Sequence, residues 1–485
     1  MVYGPVDWEK GSGAAINKRS NPMRADEVLE EIFEFCRREG MAESTFGRRA
    51  VNDGKFVNRL RYGGKVNEST VERVRAFIRS GGAAAKPETA GRVIPILQGK
   101  GGPRAEPEPE KNFRFYDNRQ KYLMFVNTCS EKWVVAQRVA LELANLHPRP
   151  PAIRLFDAGV GDGTVLTRVM RTLHHKFPWA PFYVVGKEIS LEDVRLSIEK
   201  MSDRFQEHPA TCLVITNMHY AEAPWLTPSS VVAASSLVWK EVALRGNSAA
   251  EFDEQIAEMQ PFLAENWGAR VSKKSGNPVY EKPVVLVIYR EDCKFLLDHV
   301  LPKRGAVRAD YDLVMASQPY RARASTAFKA KRVIAPLTRA LAPGGRLIGI
   351  HSCGGDPALE IVQAVWPGEH PFETNRHDLL KATRAELGAE ARYYNFSSYS
   401  DARSLFRYDM HTLPGEIDSD NPSIGTSTLF AAWNNATYVC QVEDDRLAAA
   451  MNDGGYLEST REVLQRHGGL WFNDESFVIS RKRDS

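Results

Sequence analysis

Four groups of residues carry types and spacings that suit chemistry. The first is the run Ile153-Arg154-Leu155-Phe156-Asp157-Ala158-Gly159-Val160-Gly161-Asp162-Gly163-Thr164, in which an apolar stretch meets an acid and then three alternating glycines, followed by a helical stretch, Val165–Leu173. Glycines at such a corner let the backbone turn sharply and approach a ligand where any Cβ would collide. Similar corners also occur in purely structural βαβ units. The second is Glu188, about 25 residues beyond Gly163, closing the run Tyr183-Val184-Val185-Gly186-Lys187. An acid at the end of a second strand can accept two hydrogen bonds from a ribose diol, or it can serve as a helix cap or a solvated surface group. The third is Ser317-Gln318-Pro319-Tyr320, directly after the apolar stretch Tyr311–Ala316. The fourth is a basic concentration over residues 48–79, with nine Lys or Arg against three Asp or Glu.

Elements that could position these groups follow from periodicity. Short Val/Ile/Leu-rich runs at Ile153–Asp157, Phe182–Val185, Cys212–Thr216, Val284–Ile288, Asp312–Ala316 and Arg346–Ile350 alternate with helical stretches. That alternation indicates βαβ units and a doubly wound, mainly parallel α/β sheet. Leu429–Val442 and Leu470–Ile479 suggest two longer strands, the second interrupted by Asn473–Asp474, and Phe113–Leu146 reads as one amphipathic helix. Upstream, helical spacing over Ala25–Glu39, Glu43–Ala50, Asp53–Tyr62 and Glu68–Arg79 predicts a compact all-α bundle at 22–80. Residues 81–112 change to Ala, Pro, Gly and charge and read as a flexible linker, which leaves 113–485 as the large domain.

The acid followed by alternating glycines resembles the first motif of class I S-adenosylmethionine-dependent methyltransferases, rather than the G-x-G-x-x-G of dinucleotide folds. The resemblance implies a Rossmann-like fold binding S-adenosyl-L-methionine. Asp157, Gly159, Gly161 and Gly163 would hold the amino-acid half of that cofactor, and Glu188 the ribose hydroxyls. Further landmarks come in the family's order. Asn217 and Met218 fall where the adenine is read, with the Asn217 side-chain oxygen standing in for the usual acid. Ser317 ends the fourth strand beside the cofactor, Leu341-Ala342-Pro343-Gly344-Gly345-Arg346-Leu347 is the turn into the fifth, and the last two runs form an antiparallel hairpin of sixth and seventh strands. The run Ser317-Gln318-Pro319-Tyr320 is similar to the Asn/Asp/Ser-Pro-Pro-Tyr signature of enzymes that methylate planar nitrogens, with Gln318 in place of the first proline. This implies catalytic parts for Ser317, Pro319 and Tyr320; the other reading is a strand-ending turn with a packed Tyr320. His219, Tyr220 and His351 end neighbouring strands and are further candidates, with Glu222 and Glu241 behind them.

One feature departs from the family's pattern. About ninety residues separate Met218 from Asp312, so a subdomain at about 225–305 is expected beside the substrate cleft, unless that segment holds the true fourth strand. The run Met41–Arg61 resembles the helix-turn-helix of lambda-repressor-like domains, which implies DNA contacts by Lys55, Asn58, Arg59 and Arg61. A helical bundle used for protein contact is the alternative.

Bulk properties bound the rest. The 64 Lys and Arg against 61 Asp and Glu give no global field for nucleic acid or membranes. The six cysteines form no C-x-x-C pair, so no metal site is expected and reduced thiols are. The first thirty residues hold no apolar core for a signal peptide, and no run of about eighteen apolar residues occurs, so a cytoplasmic enzyme with no membrane partner is expected. The sequence thus points to a methyltransferase whose acceptor is a nucleic-acid nitrogen or, as the neutral large domain favours, a small or mid-sized molecule. Its rival is an S-adenosylmethionine-sensing, DNA-binding transcriptional regulator.

Overall fold

The computed structural model describes residues 23–51, 53, 56–61, 68–80, 119–272, 277–412, 415–417 and 424–483. The chain divides into two compact units, Met1–Glu106 and Pro107–Ser485. The linker expected at 81–112, the stretch 113–118, Lys55 and the Arg59 side chain lie outside what is described.

The first unit contains α1 (Met23–Arg38), α2 (Glu43–Val51), α3 (Phe56–Arg61) and α4 (Glu68–Arg79). Apolar residues spaced by three and four on α1, namely Val28, Ile32 and Phe35, are fully buried, and the rings of Phe35, Phe46 and Phe77 meet with centroids 5.3–5.9 Å apart. Gly40 ends α1 in the left-handed region (φ +60°), and the Met41 N–H reaches back to the Cys36 carbonyl, closing the helix in a Schellman turn. Arg61 is bonded to Glu43 through both carboxylate oxygens at 2.7 Å and lies over the Phe33 ring, whereas Asn58 is exposed.

The second unit is a doubly wound α/β domain. Two helices, α5 (Arg119–Thr128) and α6 (Glu131–Leu143), precede β1 (Ile153–Asp157), α7 (Thr164–Lys176), β2 (Phe182–Lys187), α8 (Leu191–Glu199) and β3 (Thr211–Thr216). Further strands are β4 (Val238–Leu244), β5 (Ala269–Val271), β6 (Pro278–Tyr280), β7 (Val284–Arg290), β8 (Tyr311–Ser317), β9 (Leu341–Ser352), β10 (Tyr394–Ser397), β11 (Leu405–Asp409) and β12 (Trp471–Arg481). One ten-stranded sheet runs β10-β12-β9-β8-β1-β2-β3-β7-β4, with β11 also paired to β12; β5 and β6 form a separate hairpin. Strands β3, β2, β1, β8 and β9 are mutually parallel, and β12 is antiparallel to β9. Alternate residues feed two cores, Phe156, Val185 and Val214 on one face and Leu155, Val184 and Leu213 on the other. Burial on both faces is why these strands read as continuous apolar runs. The chain leaves β1 toward β2 on one side and returns to β8 on the other, so a crevice opens at the carboxyl ends of β1 and β8.

Several sequence expectations are corrected. Leu429–Val442 is not a strand; Thr426–Val439 is a helix that buries Leu429, Ala432, Trp433, Ala436 and Val439, a spacing of three and four that outweighs the β-branched end of the run. The hairpin partners of β12 are therefore β10 and β11, and β12 passes through Asn473–Asp474 without a turn. The single helix expected at 113–146 breaks at Cys129–Ser130, where Cys129 bridges Met410 and Ser130 exchanges hydrogen bonds with Asp409. In the 225–305 segment, β7 pairs antiparallel with β3, and β4 pairs parallel with β7, so this segment widens the main sheet. Because β8 pairs with β1, the fourth strand of the parallel series is Tyr311–Ser317. Among the described residues no helix is long and apolar enough to cross a membrane.

Candidate functional site

The glycine corner lies over the crevice and is pinned by backbone bonds: Ala158 N–H to the Met315 carbonyl and Val160 N–H to the Lys187 carbonyl. Its three glycines do different work. Gly159 faces open space, since a Cβ there would meet only the Ser317 carbonyl at 4.0 Å. Gly161 has φ +54° and donates its N–H to Glu188 Oε2 at 2.9 Å, and a Cβ there would meet the Tyr122 hydroxyl at 3.4 Å. Gly163, at φ +79°, starts α7, and a Cβ there would come within 2.8 Å of the Ser197 α-carbon on α8. Asp157 is buried and accepts the Gly159 N–H at 3.1 Å; burial pushes its carboxyl up to about 7.

Glu188 follows β2 and is locked by three backbone donors: Gly161 at 2.9 Å, Ile189 at 2.7 Å and Ser190 at 2.9 Å. A carboxylate offers about four lone-pair sites, so one stays open. Burial, reinforced by Asp193, raises its pKa.

These groups border a cavity of about 710 Å³, within the usual range of roughly 300–1,000 Å³ for ligand sites. Gly159, Gly161, Glu188, Asn217, Ser317, Pro319 and Tyr320 line it; Asp157, Gly163 and Met218 do not. Met218 is fully buried in the core. The Asn217 carboxamide donates to the Lys282 carbonyl at 2.9 Å and accepts the Val284 N–H at 2.8 Å, so it ties β3 to β7 while bordering the cavity. Sequence reasoning missed a polar group on the other wall, where Tyr122, Glu131 and Lys132 come down from α5 and α6, with Lys132 Nζ 3.2 Å from Glu131. No local motif marks them; only the placement of those helices brings them in.

At the far end, Gln318 sits in the left-handed region (φ +46°), and its amide turns back to Asp474 at 3.2 Å and Ser352 at 3.0 Å. Pro319 offers its carbonyl to the Tyr220 hydroxyl at 2.6 Å. Tyr320 is buried, with Lys329 Nζ 5.2 Å from its ring centre and its hydroxyl 2.8 Å from His351 Nδ1. His351 Nε2 lies 2.8 Å from Glu475 Oε1, and Arg376 bonds the same carboxylate through its N–H at 2.6 Å and its guanidinium at 2.8 Å. Burial works to raise the Glu475 pKa, but His351 and Arg376 outweigh it and hold the group below the usual range. Ionised Glu475 can only accept, so His351 Nε2 carries a proton, and in the neutral ring Nδ1 accepts the Tyr320 hydroxyl.

The remaining candidates separate. Glu222 lines the cavity but is saturated by Ser229, Tyr280 and the His219 N–H. His219 also lines it, and burial lowers its pKa. Glu241 lies on β4 at the sheet edge, bonded to Trp239 and away from the cavity.

No protein-family model matches the chain, and no curated protein matches it. Solved structures with a similar arrangement include the cyclase SpnF (12% identity, 77% of this chain and 88% of that one, TM-score 0.27). Geranyl diphosphate methyltransferase in complex with GPP and sinefungin is 13% identical over 72% of this chain and 78% of that one, with a TM-score of 0.27. Loganic acid methyltransferase with SAH is 9% identical over 79% and 99%, with a TM-score of 0.26. Likeness at these scores carries no functional weight.

Proposed function

We propose that the second unit binds S-adenosyl-L-methionine and transfers its methyl group to a planar nitrogen acceptor. The observation that carries this is the joint between Gly161 and Glu188: a left-handed glycine N–H holds the carboxylate at the lip of the cavity, where the residue is set to receive a ribose hydroxyl. The cofactor's fit is supported by Gly159, whose missing Cβ leaves the crevice wall open, and by Glu131 and Lys132, a carboxylate and an ammonium available to an amino-acid moiety. When bound, the sulfonium supplies an electrophilic methyl group. The chain's own residues then have to align an acceptor and exclude water. Ser317 and the Pro319 carbonyl border the cavity as polar groups for acceptor hydrogens, and Tyr320 supplies a ring held at its hydroxyl end by His351 and Glu475. The test is incubation of the purified full chain with radiolabelled cofactor and fractionated cell extract. Label entering a fraction supports transfer; cofactor binding without label in any fraction rejects it.

For the first unit we infer a helix-turn-helix that contacts duplex DNA. Gly47 supports this, since a Cβ there would lie 2.3 Å from the Asp53 carbonyl, so Asp53 packs tightly onto α2 just ahead of α3. Arg61 is engaged by Glu43, which leaves Asn58 as the described side chain on α3 available to a base edge. Salt-dependent retardation of duplex DNA by the full chain, weakened in Asn58→Asp, is the expected result; no retardation at low salt makes the unit a protein-contact module.

A further inference from the structure

Lys187, the last residue of β2, lines the cavity on the face of the sheet opposite to Leu213 and Val184 and shared with Val185 and Ala158. Its ammonium lies 4.9 Å from the centre of the Tyr220 ring and makes no hydrogen bond or ion pair among the described residues. The carboxylate that acts on it is Glu188, which is held by three backbone N–H groups, and Glu222, which also lines the cavity, is occupied by Ser229 through both N–H (2.7 Å) and hydroxyl (2.5 Å), by Tyr280 at 3.1 Å and by the His219 N–H at 3.3 Å. The cavity therefore carries a cation with no carboxylate at ion-pair distance among the described residues. Burial lowers the pKa of Lys187 against the opposing pull of Glu188. The ring face of Tyr220 offsets part of that cost, but a cation in a largely apolar cavity is fully stabilised only by an anion.

Tyr220 links this lysine to the acceptor end, because its hydroxyl is bonded to Pro319 in the run that ends on Tyr320. His219 and Tyr220 both line the cavity there, and the Tyr280 ring supports His219 with centroids 5.0 Å apart and planes tilted by 36°. An ammonium without an ion-pair partner, set against the Tyr220 ring inside the cavity, favours a planar body carrying a carboxylate.

We propose that the methyl acceptor is a small planar molecule that carries a carboxylate besides its nitrogen, and that Lys187 is the specificity-determining counter-ion of that carboxylate. This rests on the methyl-transfer reading above, and the test separates the two. Benzoate, 4-aminobenzoate and indole-3-carboxylate, each paired with its primary amide, are titrated into the full chain by calorimetry, with and without S-adenosylhomocysteine. At least one acid is expected to bind tenfold or more tighter than its amide in the wild-type chain. Lys187→Met is expected to erase that preference, and Lys187→Arg to keep it. Thermal melting of each variant establishes that it is folded, and Lys187→Arg carries the result if Lys187→Met is not. No acid exceeding its amide, or a preference that survives in folded Lys187→Met, overturns the proposal. S-adenosylhomocysteine titrated alone reads the cofactor site separately: an acid preference without cofactor binding upholds the counter-ion and rejects methyl transfer.

Discussion

The two ends of the cavity are made of different material. At the glycine corner almost every contact is backbone: Glu188 is held by three N–H groups, and the chain of the corner is pinned by neighbouring carbonyls. At the far end the contacts run from side chain to side chain, from Tyr320 through His351 and Glu475 to Arg376, and from Gln318 to Asp474. Backbone walls tolerate many sequences but little change in shape, because their geometry is set by strand pairing and by φ. Side-chain walls are adjustable, because each member can be exchanged singly, though removing one member strands a buried partner.

That contrast is best broken at Gly161. Gly161→Val forces a branched residue into φ +54° against Tyr122, and loss of S-adenosylhomocysteine binding by more than about a hundredfold is expected by calorimetry, given strain of order 1–3 kcal/mol plus the lost cradle. A variant that binds normally would mean the corner is only structural. At the other end, Tyr320→Ala should lower single-turnover methyl transfer by about a hundredfold, as a misplacement of about 1 Å can, with cofactor affinity nearly unchanged. It should also reduce stability, because His351 loses its partner. Tyr320→Phe sharpens the point: the ring stays, the hydroxyl goes, and a cost of about 1–3 kcal/mol in chemical denaturation should accompany a much smaller loss of rate. Equal loss of stability, cofactor affinity and rate in Tyr320→Ala would reduce the residue to packing.

Glu188→Ala should weaken cofactor binding by about 1.5–3 kcal/mol, the worth of charge-assisted hydrogen bonds, and unchanged affinity would remove the ribose assignment. The smallest effect concerns pH. Burial, with Glu131 adding to it, pushes the buried Asp474 carboxyl up to about 8. An acid whose folded pKa is raised keeps its proton in the folded state after the unfolded chain has lost it. Its contribution is thus full below about 4 and is lost as pH rises through about 8. Asp474→Asn, which keeps an uncharged polar group beside Gln318, should therefore gain melting temperature relative to wild type between pH 5 and pH 9. A constant difference across that window would show that the carboxyl ionises freely.

The backbone-built end was the legible one. Asp157, the three glycines and Glu188 are specified by short-range turn chemistry, and the parallel strands by apolar runs buried on both faces. The side-chain end depends on register. His351 and Glu475 face each other across β9 and β12, and Gln318 meets Asp474 across more than 150 residues of sequence, so neither pairing leaves a local signal. The ties of Asn217 to Lys282 and Val284 left no local signal either, because its neighbour β7 arrives from the long segment that follows it. The helix at Thr426–Val439 carried the right period, but its Thr, Tyr and Val residues favoured the strand reading. Tyr122, Glu131 and Lys132 were hidden on helices that sequence patterns place before the sheet but not over it.

The position of β12 has a consequence for how the protein comes into being. It is the last strand along the chain, yet it sits between β9 and the β10–β11 side of the sheet and delivers Asp474 and Glu475 to residues translated far earlier. Synthesis runs from the amino end, so the glycine corner can form while Gln318, His351 and Arg376 still await their carboxylates. The nascent chain can therefore form the glycine corner before the side-chain network at the other end, and the late-emerging β12 completes that network.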